Sequence, residues 1–374
     1  MAGIYIHIPF CASRCIYCGF YSTTGRRLQA QYVAAIGQEL AQRADYLGPK
    51  ASIDTVYIGG GTPSQLSFKL QEDLFLYINK VYPQLDWSSM EITMECNPDD
   101  ITTEFADHLR SLPVNRISMG VQTFADDRLK FLHRRHQSRD IARAVDLLRH
   151  AGINNISIDL MFGFPDETLE DWHTDIRRAL DLHVEHISAY SLMYEEGTLL
   201  HRLLLQNKVQ EIDEERSLSM YDKLIDTLTA AGYEHYEISN FALPGRRSRH
   251  NSSYWQAIPY LGIGASAHSY NLISRQWTVN DVAKYIKSVN EKRLLATQET
   301  LNDDTRYNDL ITTALRTSDG IDLSALSTVY KSFLMSSIAP YIQQQLVEIK
   351  DDKLRLTRRG LFVSDMIMSD LMKV

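Results

Sequence analysis

The sequence predicts an α/β fold built on a parallel sheet, followed by a helical module, and three observations predict it. Short β-rich segments alternate with amphipathic helical patterns six times within about the first 190 residues. Polar and glycine-rich groups recur just after successive strand segments, at the end of the strands where parallel α/β proteins place their sites. From about residue 300 the alternation gives way to helices and one hairpin. Such a sheet is either open or curved into a partial barrel.

The first strand segment is Ile4-Tyr5-Ile6-His7-Ile8, and the helix after it carries Tyr32, Val33, Ile36 and Leu40 on one face. Asp54-Thr55-Val56-Tyr57-Ile58 is the second, followed by a helix with Leu70, Leu74, Ile78 and Val81. Glu91-Ile92-Thr93-Met94-Glu95 and Asn115-Arg116-Ile117-Ser118-Met119 are the third and fourth. The next helix places Ile141, Ala144, Val145 and Leu148 at i, i+3, i+4, i+7, with Gly152 set to end it. Residues 155–160 form a fifth strand. Thr168-Leu169-Glu170-Asp171 resembles a capping box, opening a helix with Leu169, Trp172, Ile176 and Leu180. Residues 185–190 form the sixth strand; 195–230 read as helical and 233–290 as mixed. Near the end, residues 347–356 read as a hairpin with a polar turn, which with the preceding helices predicts a small winged-helix-like module.

Composition narrows the function classes. A hydrophobic content of 44% and a charged content of 23% are ordinary for a soluble globular protein. The net charge of −8 argues against a nucleic-acid partner, and Arg246-Arg247-Ser248-Arg249 is a local exception. No secretory signal opens the chain, and no apolar run approaches the roughly 20 residues that span a bilayer. A cytoplasmic protein without a membrane span is expected. Three of the four cysteines fall between positions 11 and 18, which in a reducing compartment points to metal or redox chemistry.

Cys11, Cys15 and Cys18 have the spacing C-x3-C-x2-C, with Tyr17 just before the third. Three thiolates can hold three irons of a cubane cluster and leave the fourth iron open. The alternative is a three-cysteine zinc site completed by His7 or another group. Cys96 follows a strand and reads as a buried small hydrophobe. Polar groups after the other strands converge on the same end: Gly59-Gly60-Gly61-Thr62-Pro63, Glu95, Gln122 and Asp159. Glycines let a backbone approach a ligand closely, or make a plain tight turn. Glu95 could pair with an ammonium, Gln122 or Asp159 could hydrogen-bond hydroxyl groups and Arg134 could meet a carboxylate; the alternatives are satisfied structural groups and, for Arg134, a solvated cation on a helix. Gly262-Ile263-Gly264-Ala265-Ser266-Ala267 fits a loose dinucleotide-binding pattern but lacks the strand–helix context it needs.

With these residues in hand, the sequence resembles the coproporphyrinogen III oxidase-like branch of radical S-adenosylmethionine (SAM) proteins, and within it the HemW-type heme chaperones. The resemblance covers nearly the whole chain. It is carried by residues 6–11, 15–18, 59–64, 116–122 and 158–161, by His250-Asn251-Ser252-Ser253-Tyr254-Trp255, which matches an HNxxYW signature, and by residues 354–357 with Gly360. It implies a partial TIM-like (β/α)6 radical SAM barrel in residues 1–230. An extension with the HNxxYW segment would follow in 231–300, and a C-terminal HemN-type winged-helix-like domain in 301–374. It implies a [4Fe–4S] cluster on Cys11, Cys15 and Cys18. SAM would lie on Tyr5, Tyr17, Gly60, Gly61, Thr62, Glu95, Gln122, Arg134, Asp159 and Met193, with Glu95 on the ammonium and Gln122 or Asp159 on the ribose.

Two departures separate the branches. The oxidase has a fourth cysteine two residues after the third, where this chain has Phe20. The first strand also begins almost at Met1, so the oxidase's N-terminal extension has no expected counterpart. Both favour a chaperone that carries heme, as cargo, to acceptor hemoproteins, the cluster and SAM regulating transfer or dimer formation. The rival is an enzyme, an oxygen-independent coproporphyrinogen III oxidase forming protoporphyrinogen IX. His250 is the candidate heme ligand, because neutral imidazole is a good iron donor; the alternative is a hydrogen-bonded structural histidine. The electron donor stays unassigned.

Overall fold

The structure, a computed structural model, describes residues 1–48 and 51–373. Its centre is six strands, β1 (Ala2–Ile8), β2 (Ile53–Gly60), β3 (Glu91–Cys96), β4 (Arg116–Gln122), β5 (Ile156–Phe162) and β6 (His186–Ser191). They lie side by side in chain order and all pair in parallel. Each is joined to the next through at least one helix, as a parallel connection requires.

Alternation along these strands sorts the side chains. One face carries Ile4, Ile6, Ile8, Val56, Ile58, Ile92, Met94, Ile117, Met119, Ile156, Ile158 and Leu160, all buried in one apolar core with the helices. The opposite face carries Tyr57, Glu95, Arg116, Ser118, Ser157, Asp159 and Ser188, which line a cavity. The polar positions of each strand therefore face a common lumen, because successive side chains point to opposite faces.

The mixed region after β6 extends this sheet at both edges. The strands β7 (Glu234–Glu237) and β8 (Asn240–Ala242) form a hairpin added antiparallel to β6. The strand β9 (Tyr260–Ile263) adds in parallel to β1, and β10 (His268–Tyr270), β11 (Ser274–Thr278) and β12 (Ala296–Thr300) continue outward antiparallel. The result is one 12-stranded sheet with β12 and β7 at its edges, and a single core that runs from Ile4 to Val289. The Gly262–Ala267 segment is a strand and turn leading into another strand. The Gly264 and Ala265 N–H groups donate to Glu39 Oε2 at 2.9 Å and Tyr32 Oη at 2.8 Å, so they are not free for a phosphate.

A second apolar cluster runs from Tyr307 to Leu371. Helices Asp303–Ala314 and Thr328–Gln343 pack with a small sheet of β13 (Ile321–Asp322), β14 (Val347–Lys350) and β15 (Lys353–Leu356), in the order β13-β15-β14. The expected hairpin is β14–β15. Asp351 and Asp352, at φ +53° and +56°, form the two-residue turn with positive φ at both positions that suits a tight hairpin.

Two helices test the patterns closely. Ser138–His150 buries Ile141, Ala144, Val145 and Leu148, as expected, and Gly152 follows it at φ +91°. Leu169–Asp181 has the expected capping box between Thr168 and Asp171, but it buries Trp172, Asp175, Ile176 and Ala179 and leaves Leu169 exposed. The inward face is rotated because the Asp175 carboxylate accepts hydrogen bonds from the buried Thr123 hydroxyl and from the Phe124 N–H at 3.1 Å.

Candidate functional site

A cavity of about 550 Å³ opens among the C-terminal ends of the parallel strands and the loops that follow them. The loop after β1 brings Cys11, Cys15 and Cys18 to its wall, each half-buried and free of disulfides. Backbone bonds fold this loop on itself: Thr23 donates to the Pro9 carbonyl at 2.7 Å, and Cys11 to the Thr23 carbonyl at 3.0 Å. Ile16 pins it from behind, packed with Leu132, Met161, Phe164, Leu192 and Leu200.

The donor set suits an iron–sulfur cluster. Burial pushes the Cys18 thiol up to about 11, and the Cys11 thiol is raised by the same cause. Bare thiolates are thus disfavoured, and metal ions supply the positive charge that would stabilise them. The surrounding donors fit thiolates: Thr62 Oγ1 donates to Cys11 Sγ at 3.5 Å and Arg134 Nη1 to Cys15 Sγ at 3.6 Å. A structural zinc site would need a fourth donor beside the three cysteines. His7 is engaged at both ring nitrogens, with Tyr5 Oη at 2.9 Å and the Tyr21 carbonyl at 3.1 Å.

The glycine segment after β2 forms the adjacent wall. Gly60 sits at φ +109°, and a Cβ there would lie 2.4 Å from the His7 ring. Its N–H donates to Glu95 Oε2 at 2.9 Å, while the Gly61 and Thr62 N–H groups donate to the carbonyls of Ile8 and Phe10. The glycines here let the chain pass close to its own β1, and their N–H groups are already engaged. Any direct offer to a ligand comes from carbonyls and side chains.

Glu95 also accepts from Tyr57 Oη at 2.8 Å. Burial raises its carboxyl to about 7, against the opposing pull of those two hydrogen bonds. Burial likewise raises Asp159 to about 6, opposed by the Ser188 hydroxyl and the guanidinium groups of Arg116 and Arg134. Two carboxyl groups with little hydration facing one lumen are suited to meet a cationic or hydroxyl-bearing ligand. Gln122 is buried at φ +70° and lines the same space. Arg134 is not a solvated surface cation, since it donates to Asn97 Oδ1 at 2.7 Å and to the Gly120 carbonyl, and so is aimed at the cysteine loop.

The cavity brings together Cys11, Cys15, Cys18, Tyr17, Gly60, Gly61, Thr62, Glu95, Gln122, Arg134, Asp159 and Met193. Met193, 59% exposed, and Phe20, 72% exposed, line the more open part of the cavity. Tyr5 is set back from the cavity lining, its ring packed beside those of His7, Tyr57 and His250. His250 lies deeper, on the helix Arg249–Trp255 near the N-terminal ends of β1 and β2. Its Nδ1 is bonded to Thr55 Oγ1 at 2.8 Å, its Nε2 to Tyr254 Oη at 2.8 Å, and its N–H donates to Glu91 at 2.9 Å. With both ring nitrogens engaged inside the fold, this imidazole offers heme iron no free donor. The expectation of a heme ligand at His250 gives way to that of an interior anchor. Cys96 is buried, as expected.

The radical SAM superfamily model matches residues 5–179, and the HemN C-terminal domain model matches residues 301–363. The heme chaperone HemW of Bacillus subtilis is 39% identical over 78% of this chain and 77% of its own length. The chain belongs to the HemW family. The heme chaperone HemW of Lactococcus lactis is 34% identical over 95% of this chain and 93% of its own, and that of Escherichia coli is 36% identical over 71% and 69%. The fold is that of the radical SAM enzyme coproporphyrinogen III oxidase (HemN) from Escherichia coli. That structure superposes with a TM-score of 0.85 at 23% identity, covering 100% of this chain and 90% of its own. Membership of the superfamily implies a [4Fe–4S] cluster and SAM.

Three groups of the site were not singled out from the sequence. Arg116 lines the deep end of the lumen, Asn97 holds Arg134, and Asn251 reaches the cavity from the HNxxYW helix. The signal for Arg116 was present, as an arginine at an inward position of an otherwise aliphatic and small-residue strand.

Proposed function

We propose that this protein is a heme chaperone that binds heme and passes it to acceptor hemoproteins, with a [4Fe–4S] cluster on Cys11, Cys15 and Cys18 and SAM in the lumen beside it. When bound, the cluster supplies an open iron for SAM and electrons to its sulfonium. The chain's own groups then have separate tasks. Glu95 takes the SAM ammonium, Gln122 and Asp159 take hydroxyl groups, and Arg134 and Thr62 donate to the ligating sulfurs. Tyr17, Gly60 and Gly61 wall the pocket, Tyr5 supports it from behind, and Met193 stands at the mouth.

The observation that carries the chaperone reading over the oxidase is position 20. The resemblance places a fourth cysteine there in the oxidase, whereas here an exposed Phe20 stands at the rim of the cavity. A thiol is replaced by an aromatic ring fit for a porphyrin face. The family relatives point the same way, since those described here are heme chaperones. The division into residues 1–230, 231–300 and 301–374 belongs to this reading.

The test uses anaerobically reconstituted protein with SAM and a reductant, given either heme or coproporphyrinogen III. Stoichiometric heme retention, transfer to an apo-hemoprotein and no protoporphyrinogen are the expected results. Multiple turnovers to protoporphyrinogen IX would establish the oxidase instead.

A further inference from the structure

The deep end of the lumen is built around Arg116. Its side chain is 1% exposed, and neither Nε nor Nη1 has a hydrogen-bond partner. Among the described residues it forms no ion pair within 4.0 Å. Burying a guanidinium with no hydrogen-bond or ion-pair contact is costly. Directly opposite, on β3, Thr93 is fully buried and its Oγ1 also lacks a partner.

The cavity reaches this layer. Arg116, Ser118 and Ser157 line it, together with Asn251 from the HNxxYW helix. The two lumen acids stand nearer the strand C-termini, and Glu95 is already held by Tyr57 and Gly60. Both act on Arg116 through space, but neither reaches it within 4.0 Å.

We propose that the foot of the lumen is a binding subsite for a small carboxylate, held by Arg116, with Ser118, Ser157 and Asn251 lining the space beside it. A carboxylate supplies the direct contact and the planar acceptor that a guanidinium prefers. The whole cavity is about 550 Å³ and SAM takes much of it in the reading above, so the ligand at the foot is of formate or acetate size. The subsite needs neither heme nor SAM, and its fate is separate from theirs.

Formate is the probe, with the full-length chain. Thermal midpoints are compared in sodium formate and in sodium chloride of equal ionic strength, for the wild type, Arg116→Lys and Arg116→Met. Formate raises the wild-type midpoint above its chloride value, and Arg116→Met loses that difference. In protein labelled with 15N-arginine, the Nε resonance of Arg116, identified by its absence from Arg116→Lys, moves saturably with formate. That titration decides the matter if Arg116→Met does not fold. An Arg116 resonance unmoved by formate, or a midpoint that responds to chloride as much as to formate, would overturn the proposal.

Discussion

Glu95 is the residue on which the ligand chemistry turns. Its carboxyl, ordinarily near 4.5, is raised to about 7 by burial. A carboxyl raised on folding stabilises the fold fully below its unfolded value and loses that contribution as pH rises through the folded one. The ligand-free protein therefore loses stability between about pH 4.5 and 7 through this group, on the order of 3 kcal/mol in all. Glu95→Gln cannot ionise, so its midpoint in urea falls less than the wild type's between pH 5 and pH 8. Equal falls would show that Glu95 is ionised throughout. In the proposed SAM site, binding would reverse the sign, because an ammonium on Glu95 needs the carboxylate. Glu95 and Gln122 were legible in the sequence since each lies at or near the end of a strand, and Asp159 as an acid inside an aliphatic one. That Arg134 turns inward was not, because Asn97 and the Gly120 carbonyl, which draw it there, come from other loops.

At the scale of elements, the glycine segment and the HNxxYW helix fix the two ends of the lumen. Gly60→Ala forces a Cβ to within 2.4 Å of the His7 ring at a left-handed φ of +109°. A loss of at least 2 to 3 kcal/mol in stability is expected, by order of magnitude. Gly152→Ala, at φ +91° with nothing within 4 Å of the added carbon, should lose only about 1 kcal/mol. Denaturant midpoints of the two variants check the contrast; equal losses would mean that the His7 contact is immaterial. The helix Arg249–Trp255 ties β1, β2 and β3 together through His250. His250→Ala is expected to cost on the order of 2 to 4 kcal/mol and to leave the heme absorption band where it was. A displaced band with unchanged stability would restore His250 as a ligand. Strand order and helix faces were legible because alternation and the 3.6-residue period are local signals. The partners of residues 233–300 were not, because β9 pairs with β1 across more than half the chain.

Over the whole molecule, one sheet joins the cysteine loop, the polar groups of the strands and the HNxxYW helix around a single lumen, while a second core stands beside it. The second core is tied to the first by polar contacts, Arg316 to Glu237 at 2.9 Å and Arg358 to Asp222 at 2.6 Å. No helix among the described residues is long and apolar enough to cross a membrane. The cysteine spacing marked this loop in the sequence alone, since the three thiols sit on one short segment. The polar lumen appeared only once alternate residues of six strands were set side by side. The most direct test of that joined site is the electron paramagnetic resonance spectrum of the chemically reduced, reconstituted protein, recorded with and without SAM. A cluster signal whose g values move when SAM is added, and which Cys15→Ser abolishes, is the expected result. A signal that SAM leaves untouched, or one that survives the serine substitution, would contradict a cluster on these cysteines with an iron open to SAM.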